Sequence, residues 1–458
     1  MRAFLVAAAA ASMLTTACLS GHDDKQTGSA APATGTTEQL ARAVSAEGLQ
    51  AHLEALQRIA DRNDGTRASG TSGYEDSVAY VAEQLRRAGY SPHLERVHYA
   101  DAHELAPPEM ARVSPDPLTY AYPDDFVSLR YSGSGEVDAP LEAIDADSEA
   151  SGCEPSDFAD FKPGSIALVR RGGCFFFEKV QNAISAGAGA VIVFNDGSPG
   201  HEGPIEATLL RPVKVPAISL ANDLGEALAQ QAKTGPVRMR VHTSVKIGRT
   251  VAANVLADLP GATNGAPPLL LGAHLDSVES GPGINDNGSG VAAVLELAVA
   301  ARELHLEPQQ PVRFAFWAGE EPGEFGSRAY VKSLQDPIDD IAAMVNLDMV
   351  GSPDPEPFVY QGDGTIQQAL SEALRGEGLD PVPVDLEGRS DHASFQEEGI
   401  PTGGLYTGAD EPAPDGKPHD NCYHLACDTI DNVDLETLEQ MADALAVAVF
   451  GTLTTSTP

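Results

Sequence analysis

The chain has 458 residues, room for two or three domains, and its 42% hydrophobic content is ordinary for a protein with a full-sized core, which excludes a disordered chain. Acidic residues outnumber basic ones 67 to 29, a formal net charge of -38, and repulsion on that scale excludes nucleic acid and anionic membrane surfaces as natural partners. Acidity carries no information about the fold.

Met1 and Arg2 precede an apolar run from Ala3 to Leu14 that has the length and flank of a secretory signal and is too short to span a bilayer. Residues 1–18 are therefore read as a signal peptide and 19–45, polar and small at first, as a flexible tether. Export follows, to the periplasm, to the outer membrane on a lipid, or to the medium. No later stretch reaches membrane length, so no transmembrane segment is expected. Five cysteines are an odd count, and their spacing pairs Cys153 with Cys174 and Cys422 with Cys427, leaving Cys18 at the end of the signal. Leu14-Thr15-Thr16-Ala17-Cys18 resembles the bacterial lipobox, with Thr15 where that pattern places leucine, which implies lipidation of Cys18. An unmodified thiol in a cleaved signal is the alternative.

Residues 46–124 read as the first part of the larger domain. Tyr74, Val78, Val81 and Leu85 share one helical face and Gly89 supplies the stop, after which 94–99 reads as a strand and the Pro-rich stretch 106–123 as an extended link. Residues 125–240 form a second unit with strands at 166–169 and 213–220, a helix at 177–186 and a buried-type run at 190–194. It carries no metal or nucleophile constellation. Gly172-Gly173-Cys174-Phe175, Glu178-Lys179 and the run from Ala186 to Val193 resemble the protease-associated domain, a small module inserted in several exported peptidases. Cys153 and Cys174 would close a loop within it and restrict the unfolded chain.

Residues 241–458 hold the main domain. Apolar strands at 269–273, 312–317 and 342–347 alternate with helical segments such as 288–304, the pattern of a wound α/β sheet, mixed, with helices on both faces. Such sheets build their sites at the carboxyl ends of strands. After the first strand comes His274-Leu275-Asp276-Ser277, and Gly283-Ile284-Asn285-Asp286-Asn287-Gly288 opens a helix. The second strand leads to Gly319-Glu320-Glu321, the third to Asn346-Leu347-Asp348-Met349, and Cys422-Tyr423-His424-Leu425-Ala426-Cys427 lies near the end. One histidine among twelve says little, Asp348 alone could cap a helix, and Glu320 with Glu321 could be a solvated pair. Acid or histidine after three consecutive apolar strands is a different matter. His274, Asp286, Glu321, Asp348 and His424 suit two borderline divalent ions, each with one imidazole and one terminal carboxylate, and Asp286 as the bridge. His392 and His419 compete with His424 for the last place. The paired cysteines are read as a clamp on the His424 loop, with direct metal ligation by them the alternative.

These segments, with Gly388-Arg389-Ser390-Asp391-His392, resemble the di-zinc aminopeptidase family that includes secreted bacterial leucyl aminopeptidases, and the motifs occur in the family's order through the whole third unit. The resemblance implies two Zn2+ per chain, one held by His274 and Asp348, the other by Glu321 and His424, with Asp286 shared. It implies a cis peptide at Asp286-Asn287. Glu320 is left free as general base and then acid, Tyr423 would stabilise the oxyanion, and Asp276 would fix the second ring nitrogen of His274. Substrates would be peptides with a free N-terminus, their amine met near Glu320, Asp348 and Arg389. Met349 and Tyr406 would line an apolar pocket that favours large apolar first residues with broad tolerance. A metallocarboxypeptidase, a glutaminyl cyclase and a receptor-like member of the same fold remain as rivals.

Overall fold

The computed structural model describes residues 36–198, 201–205, 207–386, 388–414 and 416–455. The signal segment, Cys18 and most of the tether lie outside the described residues. The last part of the tether is not loose. Thr37–Ala43 is a helix capped by Thr36, and it lays Leu40 against the helix Leu435–Val447. One apolar residue on one short turn is too weak a periodic signal to mark this helix in the sequence.

Four strands, Thr402–Tyr406, Ala343–Leu347, Leu269–His274 and Val312–Trp317, lie side by side and parallel in that order. All but one of their residues are buried, as continuous apolar runs must be in a parallel sheet covered on both faces. Antiparallel neighbours, Phe358–Tyr360 beside the first and Arg238–Leu259 beside the last, make the sheet mixed. Alternation along the strands sorts the two layers. Leu269, Leu271 and Ala273 face the helices Ala46–Arg62, Ser72–Arg87 and Gly290–Glu303, whereas Leu270 packs with Trp317, Tyr330, Met344 and Phe395 on the other side. Ser45 and Thr71 cap the first two of these helices by accepting backbone N–H groups. The predicted face of Tyr74, Val78, Val81 and Leu85 is buried.

The first half of the Pro-rich stretch read as a link, up to Ser114, is instead strand. His93–Ser114 pairs antiparallel with Arg238–Leu259 along nearly its whole length, so the chain leaves and re-enters the larger unit on one continuous ribbon. Pro107 and Pro108 fall where the register slips between Ala106 and Glu109, so their missing N–H groups interrupt no ladder. The expected boundary at 240/241 lies inside one of these strands. The far half of the ribbon pairs with Gly135–Ala143, which extends through Ile166–Arg170, Ala190–Phe194 and Ala217–Leu220 to Phe126–Ser128. Helices Phe176–Ser185 and Asn222–Thr234 cover this second sheet, and Cys153 is bonded to Cys174 within it.

Leu271 is fully buried in the centre of the larger sheet. Leu271→Ala is expected to lower the unfolding free energy by about 2–5 kcal/mol in a denaturant titration; a loss below about 1 kcal/mol would contradict the packing described here.

Candidate metal centre

The carboxyl ends of the parallel strands deliver their side chains to one place. His274 closes the strand Leu269–His274, opposite Trp317 in register, and Asp348 follows Leu347 of the adjacent strand. Three residues after Trp317 come Glu320 and Glu321. Asp286 enters from the turn Ile284–Ser289, where its peptide to Asn287 is cis, as the resemblance implied. His424 enters from the far end of the chain, on the loop closed by the Cys422–Cys427 disulfide.

His274 Nε2 lies 3.2 Å from Asp286 Oδ1 and 3.3 Å from Asp348 Oδ1. His424 Nε2 lies 3.2 Å from Asp286 Oδ2 and 3.2 Å from Glu321 Oε2. Two groups result, His274–Asp286–Asp348 and Asp286–Glu321–His424, each able to offer ligand atoms within 4.8 Å of one another, and Asp286 belongs to both through different oxygens. Glu321 Oε1 is buried with no hydrogen-bond partner, an orphan that a cation would satisfy. Histidine and carboxylate in this ratio form a donor set that fits zinc.

The electrostatics ask for positive charge. Burial works against protonation of His274, but Asp348, Glu320 and the hydrogen bonds to Asp286 and Asp348 outweigh it and lift the imidazole well above its ordinary range. His424 is lifted in the same way by Glu321 and Asp286. Burial would raise the Asp286 carboxyl, yet its hydrogen bonds to both imidazoles hold it well below the usual range. Glu320 makes neither group. Burial pushes its carboxyl well above the ordinary value, Glu321, Asp348 and Asp391 push the same way, and only His274 opposes them.

Support comes from residues to which the sequence assigned no part. Asp428, almost fully buried, accepts the backbone N–H groups of Asn285 and Asp286 at 2.8 and 3.0 Å, and Asp420 accepts from the Asn285 side chain at 2.7 Å. The turn carrying Asp286 is thereby tied to the ends of the loop carrying His424. Asn287 donates to Leu347 O and accepts from Gly290 N and Met349 N, fixing the same turn to the Asp348 strand. A Cβ on Gly290 would run into Asn287 Oδ1 and Leu347 O, so this position needs glycine. Ser390 donates to Asp348 Oδ2 at 2.6 Å and is itself held by Asn346 at 2.8 Å. Arg67, 0% exposed, donates to the carbonyls of Leu275, Pro282 and Gly283, all in the loop between His274 and Asp286. Burial lowers its pKa to about 10, and Asp428, Asp276, Asp286 and Glu321 act against that. Arginines are seldom this deep, so nothing in the sequence marked it out.

The remaining expected residues divide. Asp276 is fully buried, but its carbonyl, not its carboxylate, faces His274 Nδ1 at 3.1 Å. Its Oδ1 stands 3.9 Å from that nitrogen and accepts the Glu320 N–H at 3.2 Å, because the chain turns right after the strand and brings the backbone closest. Tyr423 stacks on His424 with ring centres 3.8 Å apart. Met349 and Tyr406 share an apolar cluster with Tyr360, Leu386 and Tyr423. Arg389 is drawn to the rim, where Glu411 at 2.7 Å and Asp410 at 3.7 Å hold it. His392, against Tyr360, and His419, bonded to Asp354 O, belong to neither metal group.

Comparison with known proteins finds relatives over nearly the whole chain. The profile of Peptidase family M28 matches residues 254–449, and that of the PA domain matches residues 137–228. An aminopeptidase of Pseudomonas aeruginosa is 37% identical over 440 residues, 89% of this chain and 81% of that protein. A probable lipoprotein aminopeptidase of Mycobacterium tuberculosis, LpqL, is 36% identical over 98% of this chain and 93% of its own length. Among solved structures, the aminopeptidase from Aneurinibacillus sp. strain AM-1 superimposes with a TM-score of 0.75 at 27% identity, covering 91% of this chain and 95% of the other.

Arg67→Met keeps the stem and strips the donors from three buried carbonyls. It is expected to cost about 3–5 kcal/mol of unfolding free energy, read by denaturant titration of the metal-free protein. Arg67→Lys should restore only part of this, since an ammonium cannot reproduce the guanidinium fork; full restoration would show that charge alone matters.

Proposed function

The chain belongs to peptidase family M28, hydrolases acting on peptides, and from that premise we propose that it is an aminopeptidase with two zinc ions that removes N-terminal residues, large apolar ones preferentially. The observation that carries this reading is the pair of histidine–carboxylate groups sharing Asp286, with the uncoordinated Glu320 beside them. In this proposal His274 and Asp348 would hold one ion and Glu321 and His424 the other, with Asp286 shared between them. Zinc, when bound, supplies Lewis acidity and eases deprotonation of water at neutral pH.

The chain's own residues do the rest. Glu320 takes a proton from the attacking water and returns it to the departing amine, so one carboxyl serves as base and then as acid. Its N–H bond to the buried Asp276 carboxylate fixes the backbone from which it reaches. Tyr423, held face to face with His424, donates its hydroxyl to the oxyanion that develops at the scissile carbonyl. The substrate's free amine is met by the Glu320 and Asp348 carboxylates. Met349, Tyr406 and the cluster around them receive the first side chain, and contact with methylene groups alone discriminates modestly. Arg389, occupied by Glu411 and Asp410, does not provide the free basic pocket that a carboxypeptidase requires. Export fits the lipoprotein name of the mycobacterial relative, and among the described residues no helix is long and apolar enough to cross a membrane. The anchor at Cys18 belongs to the same proposal.

Glu320→Gln should retain its zinc by elemental analysis while turnover of leucine p-nitroanilide falls at least about a hundredfold; near-normal turnover removes Glu320 from the mechanism. Chelation should abolish the wild-type activity and zinc should restore it. Acetylating the substrate's amine should abolish cleavage, and equal cleavage of blocked and free substrate would overturn the aminopeptidase reading.

A further inference from the structure

The loop that follows the two site glutamates is built against the inserted module. Pro322 O accepts from Thr208 Oγ1 at 3.4 Å, and the Leu210 side chain lies over Gly323. Phe325 stacks on Tyr99 of the ribbon with ring centres 4.4 Å apart and meets the edge of Tyr131 of the module. Between these contacts lies a small crevice, with room for about one water, lined by Ser69, Arg130, Ser277, Glu279, Glu321 and Pro322. Glu321 is one of the five clustered side chains, so the crevice opens onto the metal groups themselves. Among the described residues that line it, Arg130 is the one cation, and it comes from the module.

Arg130 is held firmly. Its backbone exchanges hydrogen bonds with Ala207 and Leu209, and its Nη2 donates to Asp101 Oδ1 at 2.6 Å, an aspartate 1% exposed on the ribbon. The side chain is nevertheless 26% exposed, and its Nε is buried without an acceptor. A guanidinium carries five donors, of which this pair engages one. Tyr131 engages the same guanidinium, and the part left exposed lines the crevice beside Glu321.

The apolar cluster of Met349, Tyr406 and Tyr423 shares no residue with this crevice. A peptide whose first side chain fills that cluster and whose scissile bond lies over the metal groups sends its leaving portion away from the cluster, toward the side that Glu321, Pro322 and Arg130 border. On the aminopeptidase reading, on which this rests, we propose that Arg130 is a substrate-binding residue for the leaving side, donating to an oxygen of the second or third peptide residue, whether a carbonyl or the terminal carboxylate. The inserted module then completes the site, and the enzyme is matched to peptides in preference to small amides.

The test compares wild type, Arg130→Met and Asp101→Asn on three substrates, each with N-terminal leucine: leucine p-nitroanilide, Leu-Gly-Gly and Leu-Gly-Gly amide. The anilide has no peptide oxygen beyond the scissile bond. Arg130→Met should lose about 10- to 100-fold in kcat/KM on Leu-Gly-Gly, by the scale of one lost charge-assisted hydrogen bond, and change less than about twofold on the anilide. Equal loss on the free and amidated tripeptides assigns the oxygen to a carbonyl; loss confined to the free acid assigns it to the carboxylate. Asp101→Asn breaks the ion pair but keeps the guanidinium, so it should lower thermal stability and leave the ratio of peptide to anilide activity near that of wild type. An equal loss on all three substrates in Arg130→Met, no loss on any, or the same selective loss in Asp101→Asn overturns the inference. A wild type inert toward both the anilide and Leu-Gly-Gly would instead sink the aminopeptidase reading, and this inference with it.

Discussion

Carboxylates gathered in a buried space repel one another, and each lost the hydration that made it stable in water. Asp286, Asp348, Glu320 and Glu321 share such a space, with Asp276 and Asp428 directly behind them. Positive charge, together with carboxyls whose pKa burial has raised, makes the arrangement tenable. Two imidazoles face it at the front and one guanidinium underlies it at the back. The orphan oxygen of Glu321 shows that the protein's own groups do not complete the balance. A site of this kind is a receptacle for cations whose geometry exists before they arrive, because the backbone around it is fixed by bonds that involve none of the candidate ligands' coordinating atoms.

That rigidity has a traceable origin. Parallel strands end in register, so His274 and Asp348 emerge side by side from neighbouring strands with no loop to absorb error. Asp286 and His424 come from irregular backbone, which is ordinarily the mobile part of a fold. Here Asp420 and Asp428 bind the Asp286 turn, Asn287 fastens it to the Asp348 strand, and a disulfide closes the six-residue loop around His424. Arg67 then takes up three carbonyls of the segment between His274 and Asp286. Each loop that brings a side chain to the cluster is thus held at both ends.

The ribbon of His93–Ser114 and Arg238–Leu259 has a comparable role at larger scale. Because both strands continue without a break from one sheet to the next, the inserted module grows from the larger unit as an extension of its hydrogen-bonding. Contacts of Thr208, Leu210 and Tyr131 with the loop after Glu321 follow from that continuity. A module joined by flexible linkers could not keep Arg130 at a constant place beside the site.

The sequence by itself determined three of the four parallel strands, the amphipathic helix from Ser72 to Arg87, the two disulfides and the five side chains that converge. Each of these rests on local periodicity or on chemically distinctive residues placed after apolar runs, and such signals survive without knowledge of distant contacts. Only the tertiary structure decided the ribbon, the helix over 37–43, the carbonyl of Asp276 as the partner of His274, the capture of Arg389 at the rim, and the parts taken by Arg67, Ser390, Asp420 and Asp428. Proline at a bulge reads as a break when the partner strand is more than a hundred residues away. A buried arginine is indistinguishable from a surface one until its carbonyl partners are folded around it. Those outcomes depend on which remote backbone atoms come within about 3 Å, a property of the packed chain and of no segment alone.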